Sequence, residues 1–141
     1  MANILVPVDG SRNAMRAIDY AIRLANGGPL ELHLLTVAPP LDDYGMVAAY
    51  LSRQQHTREM KVRGASVLKG ATARARAPKV KTTTHLVIGD VPDSIVRTAR
   101  RLHCDAIVMG TRGMGPLKDL LLGSVASKVL HLTRIPVTLV K

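Results

Sequence analysis

Phenylalanine and tryptophan are absent from this 141-residue chain, tyrosine occurs three times and cysteine once. A single cysteine, Cys104, permits no intramolecular disulfide, so nothing points to an oxidising compartment and a cytoplasmic location is expected. Scarce aromatics argue against nucleic acid as a partner, because modules that read single strands stack bases on rings set between their cations. No apolar segment approaches the ~18 residues of a membrane span. Met1-Ala2-Asn3 leads straight into a strand-like run without a leader's basic region and cleavage site, so a soluble, unprocessed protein with no membrane association is expected. Acid is scarce too: 10 Asp and Glu stand against 20 Lys and Arg, a net charge of +10. Nine of the bases lie between Arg53 and Lys81, where Glu59 is the only acid. That segment reads as a solvated helix face, with a polyanion-binding surface as the rival reading.

What is present is a regular alternation. Asn3 to Val8 is a nearly continuous apolar run, the pattern of a strand covered on both faces. Ser11 then suits the N-cap of a helix with the apolar row Ala14, Ile18, Ala21, Ile22 and Ala25, which Asn26-Gly27-Gly28-Pro29 ends. Leu30 to Val37 reads as a second strand, Asp43 to Arg76 as mostly helical with the row Met60, Gly64, Val67, Leu68 and Ala71, and Lys79 to Ile88 as a β-branched third strand. Gly89-Asp90-Val91-Pro92-Asp93 opens a third helix, with Ile95, Ala99 and Leu102 inward. Ala106 to Met109 and Ile135 to Lys141 complete the strands, separated by a helix over Val125 to Leu132. Pro136 cannot donate to a ladder, which assigns the last strand to an edge.

The order βαβαβαβαβ predicts one α/β domain over residues 1–141, with a doubly wound, mostly parallel sheet whose ligands bind at the carboxyl ends of the strands, where strand order reverses. Pro7 conflicts with a central first strand: either pairing loosens before Asp9, or the strand ends at Val6. His33 reads as a strand residue with a local hydrogen bond, because no second His or carboxylate stands at metal-ligand spacing. Cys104 reads as a small buried apolar residue.

Spacing excludes the common nucleotide and hydrolase motifs. Gly110 and Gly115 are followed by Pro116-Leu117 where a Walker loop needs Lys-Ser/Thr, and Asp9-Gly10-Ser11 does not satisfy Gly-x-Gly-x-x-Gly. There is no Gly-x-Ser-x-Gly elbow and no His-Glu-x-x-His. What remains is Gly110-x2-Gly113-x9-Gly123-Ser124, lying between the fourth strand and the fourth helix. Glycines let a backbone approach an anion, and the first amides of a helix face it at the positive end of the dipole. The rival reading is a tight strand-to-helix connection, which a nine-residue insert exceeds. For Asp9 the rival to ligand binding is helix capping.

This spacing in this setting resembles the ATP-binding motif of the universal stress protein (UspA-like) family. The likeness extends to Ile4-Leu5-Val6-Pro7-Val8-Asp9-Gly10-Ser11, Leu34-Leu35-Thr36-Val37, Gly89-Asp90-Val91-Pro92 and Asp105-Ala106-Ile107-Val108-Met109-Gly110. The resemblance implies a Rossmann-like fold of the adenine nucleotide alpha hydrolase-like type, with sheet order 3-2-1-4-5, usually dimeric, binding ATP or another adenine nucleotide with Mg2+ held by the phosphates. Carried over by position, Asp9 would contact the adenosine part, and Pro7, Val37 and Met109 would line the adenine and ribose pocket. Backbone groups at Gly110, Gly113, Gly123, Ser124 and Val125 would hold the phosphates. Arg112 and Lys118 would approach phosphate or stand in solvent. No paired carboxylates accompany the motif, so no catalytic residue and no metal ligand is assigned. The expected function is a nucleotide-responsive stress or signalling regulator with slow or no ATP hydrolysis, in which ATP orders the Thr111 to Leu122 loop and alters the surface shown to a protein partner. The alternative is a nucleotide-independent module that dimerises through the edge strand Val137 to Val140 and uses its basic surface on an acidic partner. An ATP-hydrolysing enzyme dependent on Asp9 ranks third.

Overall fold

The computed structural model describes residues 1–40, 53–112 and 122–141. Its elements are β1 (Ala2–Pro7), α1 (Arg12–Leu24), β2 (Leu30–Ala38), α2 (Arg53–Arg74), β3 (Val80–Ile88), α3 (Val91–Arg101), β4 (Ala106–Gly110), α4 (Ser124–Leu132) and β5 (Val137–Val140). The five strands form one parallel sheet in the order β3-β2-β1-β4-β5, with β3 and β5 at its edges.

Strand alternation divides the core into two layers. Ile4, Val6, Leu30, Leu32, Leu34 and Val108 pack with α1 and α2 on one face, through Ala14, Ala17, Ile18, Ala21, Leu68 and Ala71. Leu5, Leu35, Ile107 and Met109 pack with α3 and α4 on the other, through Ile95, Val96, Ala99, Ala126 and Val129. The central strands are apolar on both sides because both sides are covered.

Local chemistry sets the boundaries. The Ser11 hydroxyl accepts the Ala14 N–H at 3.2 Å and starts α1, and Asn26 and Gly27 turn the chain beyond its end with φ of 48° and 75°. In the same way the Asp90 carboxylate accepts the Asp93 N–H at 3.1 Å to start α3. The part of the second predicted helix that precedes residue 53 lies outside the described residues. Three ends differ from the sequence reading. Lys79 adopts φ 63° and so stands before β3. The Ile135 N–H is taken by the Thr133 hydroxyl at 3.0 Å, which delays β5 to Val137. Gly123 occupies the N-cap of α4, so that helix begins at Ser124, one residue before the expected Val125. No helix among the described residues is long and apolar enough to cross a membrane.

Candidate functional site

The strand order reverses at β1, whose neighbours are β2 and β4. Its two ladders are of unequal length. Pairing with β2 runs from Ala2 to Pro7, and the Val8 N–H still donates to the Leu35 carbonyl at 2.8 Å. Pairing with β4 covers only Ile4 and Leu5, opposite Ala106 and Ile107. In a parallel sheet alternate residues address alternate neighbours. Asn3 addresses the β4 side, where its carbonyl accepts the Asp105 N–H at 2.7 Å, and Val8 addresses β2, so Pro7 addresses β4. Pro7 has no N–H to give there, and the ladder stops. The alternative that β1 ends at Val6 is corrected: the strand runs through Pro7, and only its β4 side loosens.

Continuing the register by two residues sets Pro7 across from Met109. Met109 is buried against the α3 and α4 layer, and Val37 packs on the same layer from β2. By alternation with Leu5, Pro7 faces that layer as well. The three residues assigned by resemblance to an adenine and ribose wall thus share one face at the carboxyl ends of β1, β2 and β4.

Asp9 follows on an exposed turn. Its Oδ1 accepts the Ser11 N–H at 2.9 Å, while Ser11 itself caps α1. Asp9 therefore shapes the turn and does not cap the helix, and its Oδ2 meets no partner among the described residues.

Across the crevice, β4 turns towards α4. A Cβ on Gly110 would stand 2.8 Å from the Asn13 Cβ, so only glycine lets the end of β4 pass the first turn of α1 this closely. The next residue is held at both backbone groups: the Thr111 N–H donates to the Val140 carbonyl at 2.9 Å, and its carbonyl accepts the Gly123 N–H at 2.6 Å. Gly123 supplies no side chain to cap α4, and the first amides of that helix, on Ser124, Val125 and Ala126, have no acceptor among the described residues. Ser124 is exposed, and Val125 packs against the α3 and α4 layer. Arg112 is half-buried and makes no ion pair among the described residues. Gly113 and Lys118 lie outside the described residues. Among the described residues no group of three or more His, Cys, Asp or Glu is placed to hold a metal ion.

Two polar features escaped the sequence reading. His33 Nδ1 lies 3.0 Å from His85 Nε2, a hydrogen bond between neighbouring strands. The β2–β3 register sets His85 opposite Leu35, one pleat beyond His33 and on the same face. That pairing is invisible until the register is known, since the two are 52 residues apart. Burial holds both rings below the ordinary histidine value of 6.5. The second feature is the Thr111 hydroxyl, buried without a partner among the described residues. Cys104 is buried as expected, and burial, with Asp105 and Glu31 nearby, pushes its thiol up to about 11, which makes it a poor nucleophile.

The profile of the universal stress protein family matches residues 1–141. The chain belongs to the universal stress protein family. Universal stress protein YxiE of Bacillus subtilis is 30% identical over 144 residues, covering 98% of this chain and 97% of that one. A crystal structure of a universal stress protein family member from Burkholderia pseudomallei superposes with a TM-score of 0.73 at 29% identity, covering 99% and 95% of the two chains. A universal stress protein crystallised in complex with cAMP superposes with a TM-score of 0.69 at 25% identity, covering 99% and 96%.

Proposed function

We propose that this universal stress protein binds ATP, or another adenine nucleotide, in the β1–β4 crevice and acts as a nucleotide-responsive regulator with slow or no hydrolysis. The observation that carries this reading is the coincidence of two features at one place: the β1–β4 ladder opens at Pro7, and the uncapped amino end of α4 stands after the strand beyond it. An aliphatic wall of Pro7, Val37 and Met109 suits an adenine ring in a chain with so few aromatics. The free oxygen of Asp9 suits a ribose hydroxyl. Gly110 and the amides at Gly123, Ser124 and Val125 suit phosphate oxygens, with Gly113, Arg112 and Lys118 as further contacts from the same motif and Mg2+ held by the phosphates themselves. The family member crystallised with cAMP lends support from a different adenine nucleotide.

Binding is the chemistry these residues supply; phosphoryl transfer needs in addition a positioned metal and a base at the reacting phosphate. The reading includes a homodimer along the open edge of β5, which leaves the nucleotide to bias what the dimer shows a partner.

The direct test is to denature freshly purified protein, identify any nucleotide released, and titrate the stripped protein with ATP, AMP and cAMP by calorimetry. Adenine nucleotide binding is expected. Asp9→Asn keeps the turn acceptor and removes the charge, and Ser124→Ala removes an exposed hydroxyl that caps nothing, so each is expected to weaken ATP by about tenfold without loss of fold. A folded protein that binds none of the three nucleotides refutes the reading.

A further inference from the structure

Three basic side chains are neutralised within the fold: Arg74 bonds Asp19 of α1, Lys81 reaches Glu31 and Arg97 reaches Asp93. One side of α2 is different. Arg58, Lys61, Ala65, Lys69 and Thr72 recur at intervals of three, four, four and three residues, so they follow one line along the helix. The three cations are exposed, and none makes an ion pair among the described residues. The bond to Asp19 points Arg74 towards α1, and at ~3.6 residues per turn Arg58 and Lys69 lie nearly half a turn round the helix from it. Their line therefore runs along the flank turned away from α1, on the side of the β3 edge.

Helix stability does not account for this charge pattern. α2 has no acidic residue in its first turn and begins with Arg53, so a cation stands where the helix dipole favours an anion. Arg58 and Lys61 are like charges one turn apart, and they repel. Glu59, the only acid on α2, is the next residue after Arg58 and so does not face it. A row that costs the helix stability and meets no acid in its own chain is complementary to acid supplied from outside.

The form of the row selects among acidic partners. It is straight, and covers about 16 Å from Arg58 to Lys69 at ~1.5 Å per residue. Ala65 stands between Lys61 and Lys69, and Thr72 follows, short side chains that let a second helix approach to ordinary packing distance. No aromatic ring on α2 offers a base a stacking partner. Val62 is the only large apolar residue exposed on α2, too little to enter a membrane surface. Duplex DNA and polyphosphate need only the charge, and have no use for the short residues within the row.

We propose that this flank of α2 docks an acidic helix of a partner protein, whose carboxylates recur at the same spacing and pair with Arg58, Lys61 and Lys69. The proposal draws on no residue of the nucleotide site and is tested without nucleotide.

The experiment follows the fluorescence anisotropy of a labelled alanine-based helical peptide bearing a glutamate row at this spacing, at low and at physiological salt. A peptide of the same composition with its glutamates spread round the helix, duplex DNA and long-chain polyphosphate serve as comparisons. The row peptide is expected to bind roughly tenfold more tightly than the scattered one, and to weaken as salt rises. Arg58→Glu/Lys69→Glu is expected to lower its affinity by roughly tenfold or more, whereas Arg100→Glu/Arg101→Glu, the same charge change on exposed residues of α3, leaves it within about twofold. Acid nearer the start of α2 suits the dipole, so the α2 variant is expected to keep the wild-type unfolding temperature. If it does not fold, Arg58→Gln/Lys69→Gln asks the same question. Ala65→Gln keeps every charge and is expected to weaken the row peptide by roughly fivefold while leaving DNA and polyphosphate unchanged. Equal affinity for the two peptides, or equal losses in the α2 and α3 variants, overturns the proposal. A row peptide indifferent to Ala65→Gln also overturns it, since the row would then be a surface for any polyanion.

Discussion

A hydrogen bond between two imidazoles needs a lone pair on one of them, and His33 and His85 are placed so that charging is unfavourable for both. Desolvation lowers His33 most, with Glu31 opposing and Lys81 assisting, and lowers His85 most, with His33 and Arg101 assisting. Unfolding releases both rings to water, where they take protons at the ordinary value of 6.5. The unfolded chain thus binds protons first as pH falls, and stability contributed by the neutral pair is complete above that value and lost below it. Urea unfolding at constant salt is expected to show a midpoint that is flat from pH 8 to 7 and declines from about 6.5 downwards. The double variant His33→Leu/His85→Leu is expected to flatten that decline; an unchanged slope would place the effect elsewhere. Asp19 acts in a separate window: the Arg74 guanidinium, bonded to it at 2.8 and 2.5 Å, holds its carboxyl below the ordinary 3.8, so its contribution disappears only in stronger acid. The pair is on the surface, where solvent and salt screen it, so its contribution is small.

Helix α2 shows how far an element can be read in advance. Of its predicted row, Met60, Gly64, Leu68 and Ala71 are buried and Val67 is half-buried, and His56, which the row omitted, is buried too. Apolar spacing located the face; a histidine on it carries no apolar signal. What no spacing reveals is why one member of that row is glycine. A Cβ on Gly64 would run into Leu86 Cδ1 and lie 3.2 Å from Thr36 Cγ2, so the helix rests closely on β2 and β3 and a side chain here enters only if Leu86 moves. Gly70, on the exposed side, would meet nothing within 4 Å. The two glycines should respond oppositely. Gly70→Ala is expected to stabilise the protein by about 1 kcal/mol through helix propensity, and Gly64→Val to destabilise it by about 2 kcal/mol through overpacking, both measurable by chemical denaturation. A stabilising Gly64→Val would mean that α2 lies further from the sheet than described.

At the scale of the whole molecule, the alternation of elements, the edge position of β5 and the place of the glycine motif were legible, because each depends on composition and order along the chain. The β1–β4 opening was only half legible: Pro7 signalled a conflict, but which ladder it interrupts depends on register. The Thr111 hydroxyl and the histidine pair were not legible at all, since both arise from contacts between distant segments. Arg58, Lys61, Arg63 and Lys69 of the basic segment are exposed on α2, as both the solvated and the polyanion-binding reading require. The proposed dimer makes a prediction at this scale. The Ile107 and Thr111 amides donate to Pro136 and Val140, so by alternation the N–H groups of Val137 and Leu139 point away from the sheet. Hydrogen exchange at those two amides is expected to be slow and to quicken on dilution below the dimerisation range. Fast exchange at every concentration would show that β5 is an unpaired edge.

Most gaps between neighbouring strands can heal, because exposed amides and carbonyls will find one another when nothing holds them apart. Here they cannot, since the residue of β1 that would have to donate is Pro7. Among the described residues the β1–β4 ladder therefore stays unpaired beyond Leu5 whatever else binds or moves nearby. A single imino acid thus holds two central strands apart at their carboxyl ends, at the cost of one backbone bond in the middle of the sheet.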